Sequence, residues 1–255
     1  MRNLYKAILL LLITLALVIV GIWGFPAYLR GLYNPVEEHD YIIFQDDTSV
    51  KAKNGKNGAI DLSSTNASTV MNQAIAQGNN VYIKFGEYTL SSDILVHNKK
   101  NARIIGSNAS IICNGKKVII KGDNYTSSQN NILSGLEIVN GTLRIENSFK
   151  ATISDMVFRN CTTAIELVNT ETWSECTTIE DCYFIDSLIS IVFKTPIDPG
   201  TGFYANTEIS RCCFELSVII RWACGSSRTQ NSRAVWYKML EYGWGSSTEG
   251  TRLEF

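Results

Sequence analysis

The sequence predicts an all-β fold, a parallel β-helix (solenoid) with a short N-terminal capping helix, preceded by one transmembrane helix. Three observations predict it. Four six-residue segments repeat one inward-facing pattern. A single amphipathic helix stands ahead of them. A charge-free apolar run opens the chain.

The apolar run is Ala7–Trp23, 17 residues in which Thr14 is the only polar side chain. As a helix it would span about 26 Å, and Gly24 and Phe25 can extend it toward the bilayer thickness. Trp23 and Tyr28 suit the interface, and Arg2 and Lys6 flank the run on its N-terminal side. A cleaved signal peptide is the alternative. Its core is usually shorter, and no clear A-x-A-like site follows, so an uncleaved anchor is favoured. Residues 1–29 are therefore read as a signal-anchor, and charge placement puts the bulk of the chain outside the cell. Arg30 is a weak counter-signal.

Residues 30–67 read as a linker and an opening strand. "YIIFQDD" (41–47) is apolar and β-branched, and "KNGKNG" (53–58) is a turn signal. A helix follows over 68–78. Ser68 or Thr69 can cap it, Val70, Met71, Ala74 and Ile75 share one face, and Gly78 can stop it. "VYIKFGEYTL" (81–90) then alternates with period two, broken at Gly86.

The repeated segments are "LSGLEI" (133–138), "ISDMVF" (153–158), "IEDCYF" (179–184) and "ISRCCF" (209–214), starting 20, 26 and 30 residues apart. Each has an aliphatic at position 1, an apolar or sulfur residue at position 4, and Phe or Ile at position 6. Seven residues past position 6 stand Ile145, Ile165 and Ile191. Repeats of this length mean stacked units. The short apolar spacing excludes helical repeats, and a propeller blade needs more chain. Positions 1, 4 and 6 should face inward, with positions 2 and 3 forming a turn. The solenoid is read over 68–216.

Together, "DLSSTNASTVMNQAIAQGNNVYIKFGEYTLSSDILV" and "NARIIGSNASI" resemble the start of the pectin lyase-like family of right-handed parallel β-helices. The resemblance covers about residues 40–216 and implies the fold, including a helix that caps the open end of the first coil. It implies little about activity, because that fold carries lyases, hydrolases, esterases and inert surface proteins. Polygalacturonase motifs (N-T-D, paired Asp, G-H-G, R-I-K) and a pectate lyase carboxylate set are missing.

With 23 basic and 24 acidic residues, the chain offers no electrostatic reason to bind nucleic acid. Seven Cys without a C-x₂-C pair, and only two His, give no zinc-type signature, and no cofactor is expected. The odd Cys count leaves at least one thiol without an intrachain partner. Asp155 and Asp181 share position 3, a turn position whose other occupants are Gly135 and Arg211; turn chemistry outweighs metal binding there. His97 stands alone. N-x-S/T sequons at Asn66, Asn108, Asn124, Asn140 and Asn160 agree with an exported glycoprotein.

Two long loops, 169–176 and 194–206, carry Trp173, Phe203 and Tyr204 beside Glu171, Glu175 and Asp198. Aromatic faces next to carboxylates suit a glycan groove, and a carboxylate pair could work as acid and base. Packing of these aromatics onto the coils is an equal alternative. Residues 217–255 lose the pattern and read either as a divergent cap or as a truncated or frame-shifted end. The functional expectation is a membrane-anchored extracellular β-helix that binds polysaccharide or surface glycan, with cleavage open. The alternative is a non-catalytic structural or adhesion protein on the same scaffold.

Overall fold

The computed structural model describes residues 38–124, 126–170, 174–194 and 204–215, and the strands within 217–222, 227–230, 233–234 and 237–242. Segments 174–175, 204–205 and everything from 217 on are described as backbone alone. The expected anchor, Ala7–Trp23, lies outside the described residues. Among those described, no helix is long and apolar enough to cross a membrane.

The chain opens with an antiparallel meander, β1 (Tyr41–Asp46), β2 (Ser49–Asn54) and β3 (Ile60–Ser64), followed by helix α1 (Ala67–Gln77). The opening strand was expected from the sequence; the two strands added to it were not. The first coil comprises β4 (Asn80–Ile83), β5 (Glu87–Thr89) and β6 (Ile94–His97). The second has β7 (Arg103–Ile112) and β8 (Lys117–Lys121), and the third β9 (Ile132–Val139) and β10 (Thr142–Glu146). Then come β11 (Thr152–Ser154), β12 (Val157–Arg159) and β13 (Thr163–Val168). After the short β14 (Ser174–Glu175) the next coil has β15 (Thr178–Glu180), β16 (Tyr183–Ile185) and β17 (Ile189–Lys194). Another short strand, β18 (Tyr204–Ala205), precedes β19 (Thr207–Ser210), β20 (Cys213–Phe214) and β21 (Ser217–Trp222). Backbone strands β22 (Ser227–Gln230), β23 (Arg233–Ala234) and β24 (Tyr237–Tyr242) continue the same order.

Every coil-to-coil pairing is parallel. Sheet B runs β6-β8-β10-β13-β17-β21-β24, the short β14 and β18 pair as a sheet of their own, and the larger sheet A holds the remaining coil strands with β1–β3 at its edge. The inward columns match the sequence pattern. Leu133, Ile153, Ile179 and Ile209 stack at position 1, in register and buried. Leu136, Met156, Cys182 and Cys212 are buried at position 4. At position 6, Phe158, Phe184 and Phe214 stack nearly parallel, with ring centroids 5.1 and 4.9 Å apart.

Two details correct the sequence reading. The turn between the two halves of a sheet A rung is a single left-handed residue at position 3: Gly135, Asp155, Asp181 and Arg211 have φ of 69°, 52°, 54° and 52°. Position 2 stays in the strand, as Ser154 and Glu180 show. Gly135 is also fixed by space, since a Cβ there would lie 2.4 Å from the Gly106 carbonyl oxygen. Second, Ile165 pairs with Leu143, while Ile145 pairs with Leu167. The step from position 6 to sheet B is seven residues after Phe158 and Phe184 but five after Ile138. After Phe214 it is again five, since Ile219 pairs with Ile191 across a bulge. The segment VIIRW, out of register at a step of seven, is in register at five.

Helix α1 covers the first coil's open end. Its cap is Asn66, two residues ahead of Ser68 and three ahead of Thr69, the expected caps, and its side chain accepts from Ser68 N; Gly78 ends the helix as expected. Val70, Met71, Ala74 and Ile75 are buried, giving the helix the tertiary packing that a helix this short requires. Asn72 meets the strand edge directly: its Oδ1 accepts from Leu95 N at 2.8 Å, and its Nδ2 donates to Asp93 O at 2.8 Å. The helix thus satisfies backbone groups of β6, the edge strand of sheet B. Lys99 donates to the carbonyls of Ala76 and Gly78 at the helix C-terminus.

Candidate functional site: a charged ladder on sheet B

In sheet B, Leu143 and Ile145 point into the core, so Thr142, Arg144 and Glu146 point outward. Coil stacking lines these outward residues into rows. One row is Leu95, Ile119, Arg144, Glu166 and Val192; the next is His97, Lys121, Glu146, Val168 and Lys194. Charges of both signs interlock across these rows. Glu166 accepts from Lys117 Nζ at 3.0 Å and from Lys194 Nζ at 2.6 Å. Glu146 accepts from Arg144 Nε at 2.8 Å and pairs with Lys121 Nζ at 3.0 Å. Arg144 sits between the two carboxylates, with Nη1 3.8 Å from Glu166.

The face is open over its first coils, where Leu95 is 41% exposed, and closed farther along, where Glu146, Glu166, Val168 and Val192 are between 5% and 7% exposed. Burial alone would raise both glutamate pKa values. The hydrogen bonds and charges of Lys121 and Arg144 overcome it at Glu146, and those of Lys194 and Lys117 at Glu166, so both are lowered. Both carboxyls are therefore ionised at neutral pH. Glycoside hydrolysis needs one carboxyl held protonated as general acid, and neither of these is. What the ladder offers is cations. Lys117, Lys121 and Lys194 keep a third to a half of their side chains in water, and four cations face two carboxylates.

His97, at the open end, has a partner: its Nε2 lies 2.8 Å from Asp123 Oδ1, and Asn98 donates to Asp123 Oδ2 at 2.6 Å. The Asn98 and His97 hydrogen bonds lower the Asp123 pKa.

Apart from His97, which was weighed only as a lone residue, none of these ladder residues was singled out from sequence. Their signal is faint: outward charges in "KVIIK", "TLRIE" and "AIELV" become a cluster only once the register is known. Lys117 and Glu166, for instance, are 49 residues apart.

Of the loop residues that were singled out, Glu171, Trp173, Asp198 and Phe203 lie outside the described residues. Glu175 and Tyr204 are described by backbone only. That backbone pairs Ser174 with Tyr204 and Glu175 with Ala205 in parallel, so the two long connections run side by side. The turn reading of Asp155 and Asp181 accords with their left-handed backbone. Arg211 grips Asp181 with Nε and Nη2 at 2.8 Å each and reaches Glu180 at 2.6 Å. Among the sequons, Asn108, Asn124, Asn140 and Asn160 are exposed, while Asn66 is half-buried and engaged as the helix cap.

Comparison with protein-family models, with curated proteins and with solved structures finds no match for this chain, so the fold rests on the coil geometry.

Proposed function

We propose that the chain is a membrane-anchored extracellular β-helix, of the right-handed pectin lyase-like kind, that binds polysaccharide along the outward face of sheet B. The observation that carries this reading is the charged ladder. Lys117 and Lys121 stand on one rung, β8, and Lys194 three rungs farther along the axis, about 14 Å at 4.8 Å per rung, so together they present cations to a polymer lying across the rungs between them. The apolar Leu95 and Ile119 beside them suit the faces of sugar rings. The anchor and the outside location rest on Ala7–Trp23, and the loop aromatics Trp173, Phe203 and Tyr204 would extend the groove.

Binding is favoured over cleavage because both ladder carboxylates are held ionised. The non-catalytic structural or adhesive alternative draws on a different fact: much of the ladder's charge is satisfied within itself.

A glycan array probed with the full chain in detergent separates the readings, run beside assays for unsaturated and reducing-end products. Binding of acidic glycans, weakened by Lys117→Gln with Lys121→Gln, is expected without product formation. Product release would restore catalysis, and a blank array would favour the structural alternative. The anchor is tested by alkaline and high-salt washing of membranes, which should leave the chain in the pellet. A soluble form beginning near residue 25–30 would establish cleavage instead.

A further inference from the structure

We propose that Cys182 and Cys212 close a disulfide between adjacent coils, stapling the coil of β19 and β20 to the one before it. Both occupy position 4. Tyr183 pairs with Cys213 and Phe184 with Phe214, and Cys213 N donates to Cys182 O at 2.9 Å, so the two cysteines stand one rung apart in register. One rung is about 4.8 Å between Cα atoms, inside the span a disulfide bridges. Both side chains point into the core, 0% and 1% exposed.

Their sulfurs are oriented alike. Cys182 Sγ lies 3.2 Å from Glu180 O and 3.8 Å from Ile153 O. Cys212 Sγ lies 3.3 Å from Ser210 O and 3.7 Å from Ile179 O, the equivalent carbonyls one coil along. As thiols the two sulfurs therefore stack about one rung apart, and closing the bond takes a turn of one side chain about χ1, with the Cα atoms left in place.

The other buried pair makes an internal control. Cys113 and Cys161 are separated by the coil that carries Gly141. A Cβ at Gly141 would lie 2.5 Å from Cys113 Sγ, so the glycine leaves room for that thiol. Two rungs are about 9.6 Å, beyond the roughly 7 Å limit for bridging without backbone movement.

The chemistry needs a disulfide oxidant, either a small-molecule disulfide or an oxidoreductase. In the folded chain the interaction between the two neighbouring sulfurs pushes the Cys182 pKa up and holds that of Cys212 down. Either cysteine can attack first as its thiolate, Cys212 for example. It takes one sulfur of the oxidant and releases the other as a thiol. Cys182 gives up its proton, attacks Cys212 in the mixed disulfide and releases the second thiol. Two cysteine thiols lose two electrons and two protons, and the oxidant becomes two thiols. Because the pair is buried, the exchange takes place while the coil of β19 and β20 is still undocked. The closed loop includes the long connection 195–203, which makes the constraint on the unfolded chain large.

In the cell the bridge rests on the proposed outside location, because an oxidising compartment preserves it. The chemistry itself is tested in vitro. The full chain in detergent is refolded with oxidised and reduced glutathione, denatured, alkylated and mapped by mass spectrometry. The expected result is a linked peptide holding Cys182 and Cys212, two hydrogens lighter, with Cys113 and Cys161 alkylated. The bridged form should melt roughly 5–10 °C above the reduced form, and Cys182→Ser and Cys212→Ser should each abolish that difference. Alkylation of both Cys182 and Cys212 after refolding, or a bridge from either to another cysteine, would overturn the proposal. Bridging in vitro with reduced thiols in cells would instead count against the location alone.

Discussion

Glu166 shows how far a single residue departs from its pattern. It lies at an outward strand position, where a solvated carboxylate is the ordinary outcome, yet it is 5% exposed and meets cations from three other strands. Its outward position is legible from the alternation in "TAIELV". Its partners are not, because they lie one or two coils away and depend on corner lengths. Burial opposes its ionisation, and the Lys194 and Lys117 contacts reverse that. A carboxyl with a depressed folded pKa adds stability that is full above the unfolded value, near 4.3, and is lost as pH falls through the folded value. Glu166→Gln should thus lower stability by about 1–2 kcal/mol at neutral pH, less than for a fully buried pair because the lysines can turn to solvent. The gap in melting temperature between the two proteins should narrow steadily below about pH 5 as the wild-type carboxyl is protonated. A gap that stays constant down to pH 2 would mean that packing, not charge, is what Glu166 contributes.

At the scale of elements, the strands were legible because their side chains alternate, while the corners were not. Inward columns follow from period two, and Phe158, Phe184 and Phe214 stack as that period requires. The five-residue and seven-residue corners both bury the same columns, so hydrophobic pattern alone does not separate them. This is why Ile145 was aligned one inward position away from its partner and why the tail looked broken. The contrast between Phe184 and Tyr183 tests the register itself. Phe184→Ala leaves a cavity between two stacked rings and should cost about 3–5 kcal/mol in urea unfolding. Tyr183, 54% exposed, should cost under about 1 kcal/mol when changed to Ala. The reverse ranking would move every residue to the opposite face. The corners also constrain modification. Asn140 and Asn160 are exposed, both left-handed, and one rung apart, since Asn140 N donates to Arg159 O. Two attached glycans only about 4.8 Å apart would collide. In protein expressed through a eukaryotic secretory pathway, intact-mass and glycopeptide analysis should find one of these sites filled or neither. Molecules filled at both, with a cooperative melt, would refute the crowding argument.

For the molecule as a whole, the helix and the meander close one end, and the sequence foretold the helix because a solenoid's first coil exposes strand edges. Asn72 bonding the edge of β6 is that argument at atomic scale. The other end was harder to read, since one short corner concealed the continuing repeat. In the backbone, β21 pairs with β17 from Ile189 to Phe193 and β24 pairs with β21. A solenoid's stability is close to a sum over coils and nearest-neighbour contacts, so damage at one end should stay near that end. Deleting residues 217–255 removes β21 and bares the edge of β17. Ile191 and Phe193, buried in the whole chain, then lose the coil stacked on them. Hydrogen exchange followed by mass spectrometry should show β17 amides exchanging at least about tenfold faster, β13 less so, and β8 unchanged, because local opening draws on local contacts. The melting transition should broaden and begin earlier as the exposed coil frays. Equal acceleration in β8, β13 and β17 would mean that the coils unfold as one cooperative unit. Stability would then belong to the whole stack, and the nearest-neighbour picture would fail for this chain.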